Sequence, residues 1–252
     1  MANFYETEKA VSEYLLFHYG TKADVLPFGG PEAALNYPAR CVSECLDIHL
    51  LPAQARGLDL GCAVGRATFE LARHCETVVG IDFSQRFVEV ATVLREAGTM
   101  IFSFADEGEL TRKATATLPP DIERERVTFL QGDAQTIPAS IGQFDVVLMA
   151  NLIDRLQNPM QCLIGIEPCI QAGGQLIITS PYTWLPEYTP KAHWLGGFLR
   201  NNQQVHTFDT LSEILLPRFE LLSRKNLPFL IREHARKYQW SIAEATVWRK
   251  KS

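Results

Sequence analysis

A doubly wound α/β fold, a mostly parallel sheet with helices on both faces, is what this sequence predicts, and three features predict it. From residue 56 to 180 short apolar segments alternate with amphipathic ones, the pattern of repeated β-α units. The first apolar segment opens directly into a glycine turn, "LDLGCAVGR" at 58–66. The chain finishes on two strand-like segments with no long helical pattern between them, which adds an antiparallel pair at one edge.

Taken in order, residues 3–20 space Val11, Tyr14, Leu15 and His18 as one face of a helix that stops at Gly20. Residues 21–38 are rich in Gly and Pro and read as loop; 39–50 read as a second helix ended by Leu51-Pro52. These two helices make residues 1–52 an expected helical cap before a main domain at 53–252. In that domain "RGLDLG", "TVVGID", "RVTFLQGD", "FDVVLMAN" and "QLIITSP" read as strands, with helices in "RATFELARHC", in "SQRFVEVATVLREAG" and over 159–171. Ser84 is the expected N-cap and Gly98 the stop of the second of these; Pro159 opens and Gly173-Gly174 closes the third. A later helix in "DTLSEILLP" has Thr210 and Glu213 at capping-box spacing. "FELLSRKNL" and "YQWSIAEATVWRK" are the closing strands. Two inserts interrupt the alternation. Residues 99–126 read as a charged surface excursion outside the sheet and partly mobile; 181–207 are aromatic and Pro-rich.

Composition narrows the function classes. The 252 residues are 46% hydrophobic and 21% charged, enough for an ordinary core without a metal or disulfide staple. The net charge of −5 and the lack of a basic run beyond "RKKS" argue against a nucleic-acid partner. No apolar run reaches the roughly 18 residues of a membrane span, and the N-terminus lacks a secretory pattern, so the expectation is a cytoplasmic protein. Six cysteines show no paired zinc spacing and read as buried reduced thiols; no metal is expected.

The chemistry-bearing residues collect at strand ends. In Gly61-Cys62-Ala63-Val64-Gly65 the glycines permit positive φ and close approach of a ligand, with Ala63 where a middle glycine often sits. Asp82, at the tip of the next strand and followed by Phe83, can accept from ribose hydroxyls. Asp59 lies inside the glycine motif, Asp133 and Ala134 end the third strand, and Asn151 ends the fourth. A nicotinamide dehydrogenase shares the glycine turn, but no Tyr-Lys or His-acid arrangement accompanies it. The order and spacing of the whole set are those of a class I S-adenosylmethionine (SAM)-dependent methyltransferase, with S-adenosylhomocysteine as product.

Three stretches sharpen this: "YETEKAVSEYLLFHYG", "DEGEL" and "SPYTWLPEYTPKAHWLGG". Together they resemble the methyltransferases of ovothiol biosynthesis, over nearly the whole chain. The resemblance implies N-methylation of the imidazole of 4-mercaptohistidine (5-thiohistidine), a small-molecule substrate, and a sulfoxide synthase as functional partner. A zwitterionic thiolate-bearing ring calls for aromatic faces, a cation for its carboxylate and polar groups near the ring. Tyr182, Trp184 and Tyr188 are the candidate aromatics, Arg155 the candidate cation with Arg40 behind it, and Asn151 a group able to meet both cofactor and substrate. Asn151 and Tyr182 are the expected catalytic residues; His18, His193 and His206 are weaker candidates for a base. Two alternatives stay open: methylation of another small metabolite such as a quinone, phenol or amine, and a SAM-binding module without turnover.

Overall fold

The structure, a computed structural model, describes residues 4–252. Residue 3, the first of the expected opening helix, lies outside the described residues. The helix α1 spans Glu8–Tyr19, capped by the Thr7 side chain accepting from the Ala10 amide. The stretch read as loop instead holds α2 (Lys22–Val25), opened by a Thr21–Asp24 capping box, and the start of α3 (Tyr37–Ser43). Pro38 sits in the first turn of α3, where a missing amide costs nothing. The helix read over 39–50 therefore ends early, and a separate 3₁₀ turn covers Ile48–Leu50 under the Asp47 cap.

The alternating core follows: β1 (Arg56–Leu60), α4 (Arg66–Leu71), β2 (Thr77–Asp82) and α5 (Gln85–Ala97). Ser84 caps α5 by accepting from the Phe87 amide and Gly98 ends it at φ 73, as the sequence implies. The insert after it is not a loop. It forms a hairpin of β3 (Thr99–Glu107) and β4 (Leu110–Thr117), a sheet of its own beside the main one. Phe102, Phe104 and Ala116 on one face are buried, an alternation hidden in sequence by the charges on the other face.

Next come β5 (Val127–Gln131), β6 (Phe144–Ala150), α6 (Pro159–Ile166) and β7 (Ile170–Ser180). Gly173-Gly174 does not close α6. Pro168 prevents its continuation, and the glycines sit inside β7 where its pairing with β6 slips between Phe144 and Val146. A small hairpin, β8 (Phe198–Arg200) and β9 (Gln203–Val205), precedes α7 (Thr207–Leu215). The N-cap of α7 is His206, so Thr210 and Glu213 lie within the helix and form no capping box. The long strands β10 (Phe219–His234) and β11 (Lys237–Lys250) pair antiparallel at the edge.

The main sheet runs β10-β11-β7-β6-β1-β2-β5. β1 pairs in parallel with β2 on one side and β6 on the other, so the chain leaves β1 in opposite directions: the switch point of a doubly wound sheet. Alternate residues of β6 face different layers. Val146 and Leu148 join the core under α1, α3, α4, α5 and the β3–β4 hairpin; Val147 and Met149 join that under α6 and α7. Among the described residues no helix is long and apolar enough to cross a membrane.

One buried cation fastens the hairpin to the rest. The side chain of Arg232 on β10 is fully buried; it donates to Asp106 Oδ1 at 3.0 Å and to the Asp24 carbonyl, and lies 5.0 Å from the centre of the Phe104 ring. Arg232→Ala strips the partners of a buried charge pair and should lower unfolding stability by about 3 kcal/mol, with Phe102 and Phe104 amides losing hydrogen-exchange protection first. Unchanged protection of the hairpin in a folded variant would show that it docks without this arginine.

Candidate active site

The carboxyl ends of β1, β2, β5, β6 and β7 converge on the switch point. After β1 the chain turns back through three left-handed residues: Gly61 (φ 74), Ala63 (φ 47) and Gly65 (φ 87). Side chains are excluded at both glycines. A Cβ on Gly65 would stand 2.6 Å from the Phe129 ring and one on Gly61 2.9 Å from Leu152. Ala63 accepts the unfavourable region, a cost of about 1–2 kcal/mol, and its amide donates to Asp82 Oδ2 at 2.8 Å. The amides of Gly61 and Cys62 both donate to the Ile81 carbonyl, so the turn is laced to the end of β2. The Cys62 side chain is buried, leaving only its backbone for a ligand.

Both oxygens of Asp82 accept main-chain amides, Oδ2 from Ala63 and Oδ1 from Ser84. Each oxygen retains a lone pair for another donor. Asp59 is more secluded: Oδ2 accepts from Thr68 Oγ1 at 2.7 Å, while Oδ1 is buried without a partner. Burial pushes the Asp59 carboxyl up to about 7 and Asp82 up to about 6, with the Asp82 charge adding a smaller increment at Asp59 and the Glu6 charge one at Asp82. Two desolvated carboxyls, one with an orphaned oxygen, beside a turn that excludes side chains form a cradle suited to a cationic ligand with hydroxyls. Phe83, directly after Asp82, is 63% exposed, so its ring face is available for stacking.

At the β5 end the chain turns back on itself. Asp133 accepts from both the amide and the Nε2 of Gln135, and the Ala134 methyl packs into the core. The segment encloses a cavity of about 240 Å3 lined by Ile81, Leu130, Asp133, Ile137 and Pro138, among others.

Beyond β6, Asn151 is left-handed (φ 51) and its amide donates to the Thr179 carbonyl at 2.8 Å. Tyr182, also left-handed (φ 55), follows β7. Its hydroxyl donates to Glu244 Oε2 at 2.8 Å, and burial together with that carboxylate raises the phenol well above its usual range. Such a phenol carries protons poorly, which argues against a proton-transfer role and leaves its ring face. Trp184 is a correction: it is buried in the core beside Trp194 with its indole N–H donating to Thr207, a packing position. Arg155 lies over the Tyr188 ring, 4.9 Å from its centre, and donates to the Asp154 and Thr183 carbonyls and to Asp154 Oδ2. Arg40 is spent on Glu44 and on two carbonyls, of Ala33 and Pro228.

The three candidate histidines lie apart from one another. His18 is buried and pushed down to about 3, His193 Nδ1 meets the Gln157 carbonyl, and His206 precedes α7.

Residues 58–178 match a family model described as a methyltransferase domain. That stretch is a methyltransferase domain. Over 135 residues it is 27% identical to the demethylmenaquinone methyltransferase of Lactococcus lactis subsp. lactis (strain IL1403), a match covering 52% of this chain and 44% of that protein, so less than half of the relative's length is spanned. Solved structures share the fold: a SAM-dependent methyltransferase from Methanosarcina mazei (TM-score 0.53, 15% identity, 81% of this chain and 95% of that one) and the N-methyltransferase NodS from Bradyrhizobium japonicum WM9 (TM-score 0.51, 16% identity, 85% and 93%). SAM is the cofactor of this domain, and the cradle at β1 and β2 suits it.

Sequence reading passed over what covers the methyltransferase site. The Tyr5 carbonyl accepts from Ser84 Oγ, and Glu6 Oε1 accepts from the Gln85 amide, pinning the N-terminal segment to the tip of β2. The Tyr5 ring lies 6.3 Å from Tyr188 and 6.0 Å from Phe87, and the Tyr19 hydroxyl donates to the Val64 carbonyl within the glycine turn. Helical spacing showed that α1 has a buried face; nothing in it showed which strand ends that face would meet.

The raised carboxyls set a pH dependence. Their folded-state values lie above the ordinary one, so ionising them costs stability as pH rises through about 6 and 7. A cationic cofactor favours the ionised forms. Calorimetric affinity for SAM should therefore hold above pH 8 and fall toward pH 6, by up to about tenfold per pH unit for each coupled proton. Asp59→Asn should flatten that profile and raise the ligand-free melting temperature at pH 8; an unchanged slope would detach Asp59 from the cofactor.

Proposed function

We propose that this methyltransferase N-methylates the imidazole ring of 4-mercaptohistidine, giving ovothiol. The observation that carries the reading is the aromatic segment at the carboxyl edge, where Tyr182 and Tyr188 follow the strand neighbouring Asn151 and Arg155 stacks on Tyr188. The resemblance of this segment and of the N-terminal helix to the ovothiol methyltransferases supports the same substrate.

The division of labour follows from the residues. Gly61, Cys62, Ala63 and Gly65 offer backbone to the cofactor. Asp82 accepts from its ribose hydroxyls, Asp59 faces its methionine portion, and Phe83, Asp133 and Ala134 border its base. When bound, the cofactor supplies a methyl group on a cationic sulfur that departs neutral, so no acid is needed. What remains is to hold a lone pair in line with that methyl group. Tyr188 and Tyr182 present ring faces to the flat imidazole, Arg155 pairs with the substrate carboxylate, and Asn151 fixes the ring by a hydrogen bond. A sulfoxide synthase would supply the thiohistidine.

The test is incubation with methyl-13C SAM and 4-mercaptohistidine, read by S-adenosylhomocysteine release and by the position of the new methyl carbon. An N-methyl product is expected. An S-methyl product, or turnover of a quinol or amine in place of thiohistidine, would replace the substrate; SAM binding without turnover of any would make the domain a binding module. Within the reaction, Tyr182→Phe should leave kcat unchanged because the hydroxyl is engaged by Glu244. Tyr188→Ala should raise KM for thiohistidine by about tenfold, the order of one aromatic contact. A collapse of kcat in Tyr182→Phe would restore its hydroxyl to the chemistry.

A further inference from the structure

Tyr37 lies in α3, 114 residues before Asn151 in sequence, yet its hydroxyl donates to Asn151 Oδ1 at 2.7 Å. The same phenol oxygen is 2.7 Å from Thr179 Oγ1, and Cys41 Sγ lies 3.9 Å from that threonine oxygen. Tyr37 is buried, its ring packed against Phe229, at 4.8 Å, and Phe17, stacked at 5.9 Å, in a three-ring cluster. A phenol so placed cannot swing away.

The surrounding donors set the direction of these bonds. The Asn151 amide donates to Thr179, to the carbonyl at 2.8 Å and to Oγ1 at 3.3 Å. Asn151 Oδ1 can only accept, so the Tyr37 proton goes to it at 2.7 Å, and the Thr179 hydroxyl, 2.7 Å from the Tyr37 oxygen and 3.5 Å from Asn151 Oδ1, donates to one of these oxygens. Every donor in the cluster then has an acceptor, as buried polar groups require. The Asn151 carboxamide has its oxygen committed to the protein and its NH2 group left to donate.

We propose that Tyr37 is a positioning residue: it holds the Asn151 carboxamide with its NH2 group toward the substrate, so the site selects molecules that present a hydrogen-bond acceptor beside the methyl-accepting atom. An unprotonated ring nitrogen, a thiolate or a carboxylate meets that requirement; a protonated ring or an ammonium group does not. The inference rests on the reading that Asn151 meets the substrate.

A double-mutant cycle tests both and separates them. Tyr37→Phe keeps the ring and removes only the hydroxyl. It and Asn151→Ala should each lower kcat/KM for thiohistidine by about five- to tenfold, with S-adenosylhomocysteine affinity within about twofold of wild type, as the loss of one hydrogen bond implies. The double variant should be no worse than Asn151→Ala alone. Additive losses would overturn the positioning role while leaving Asn151 in the site. Normal turnover by Asn151→Ala would overturn the reading of Asn151 and the selection with it. A second measurement needs no substrate: the side-chain 15N–1H pair of Asn151, assigned by its loss in Asn151→Ala, should shift in Tyr37→Phe with S-adenosylhomocysteine bound. Unchanged signals would overturn the proposal even if thiohistidine is not the substrate.

Discussion

The hydrogen bond from the Ala63 amide to the Asp82 carboxylate, 2.8 Å long, joins the turn after β1 to the tip of β2. Much of the site depends on it. It supports a non-glycine residue in left-handed backbone, it keeps Gly61 and Gly65 at the close approaches that exclude side chains, and it aims a carboxylate into the space those glycines leave. Asp82 therefore braces the turn, and in the proposed function it also accepts from the cofactor. Asp59, one strand away with a buried unpartnered oxygen, adds a second desolvated carboxyl whose ionisation awaits a cation. The cradle is electrostatically incomplete without its ligand, a common state for a binding site.

A second constraint acts from above. The N-terminal segment is tied to Ser84 and Gln85, α1 reaches the glycine turn through Tyr19, and α3 reaches Asn151 through Tyr37. The cap thus touches the glycine turn, the start of α5 and Asn151 by different residues. Chemistry on a doubly wound fold is set by such additions at the carboxyl edge, since the sheet itself serves many functions.

How much of this was legible beforehand varied with the kind of signal. The strands β1, β2, β5, β6 and β7 are short, apolar and bounded by turns, and their parallel pairing followed from the alternation. The caps at Ser84 and Gly98 were readable because capping is local chemistry. The β3–β4 hairpin was not, since its buried face of Phe102, Phe104 and Ala116 alternates with residues such as Ser103, Lys113 and Thr115 that read as a polar loop. The glycines of β7 misled for a related reason: Gly173 and Gly174 look like a helix stop, yet they serve a bulge. In the site, positions on strand tips were visible from motif spacing, whereas partners brought from far away were hidden. Trp184 shows the limit most clearly. Its type and place suggested a pocket, and only packing against Trp194 and Thr207 distinguishes a core tryptophan from a ligand face.

Asp82 is where brace and ligand contact coincide, so its removal is the most direct test. Calorimetry of S-adenosylhomocysteine binding to Asp82→Ala should show an affinity loss of about 1.5–3 kcal/mol for each charge-assisted hydrogen bond removed, in a protein that still unfolds cooperatively. Wild-type affinity in a folded Asp82→Ala variant would contradict the account.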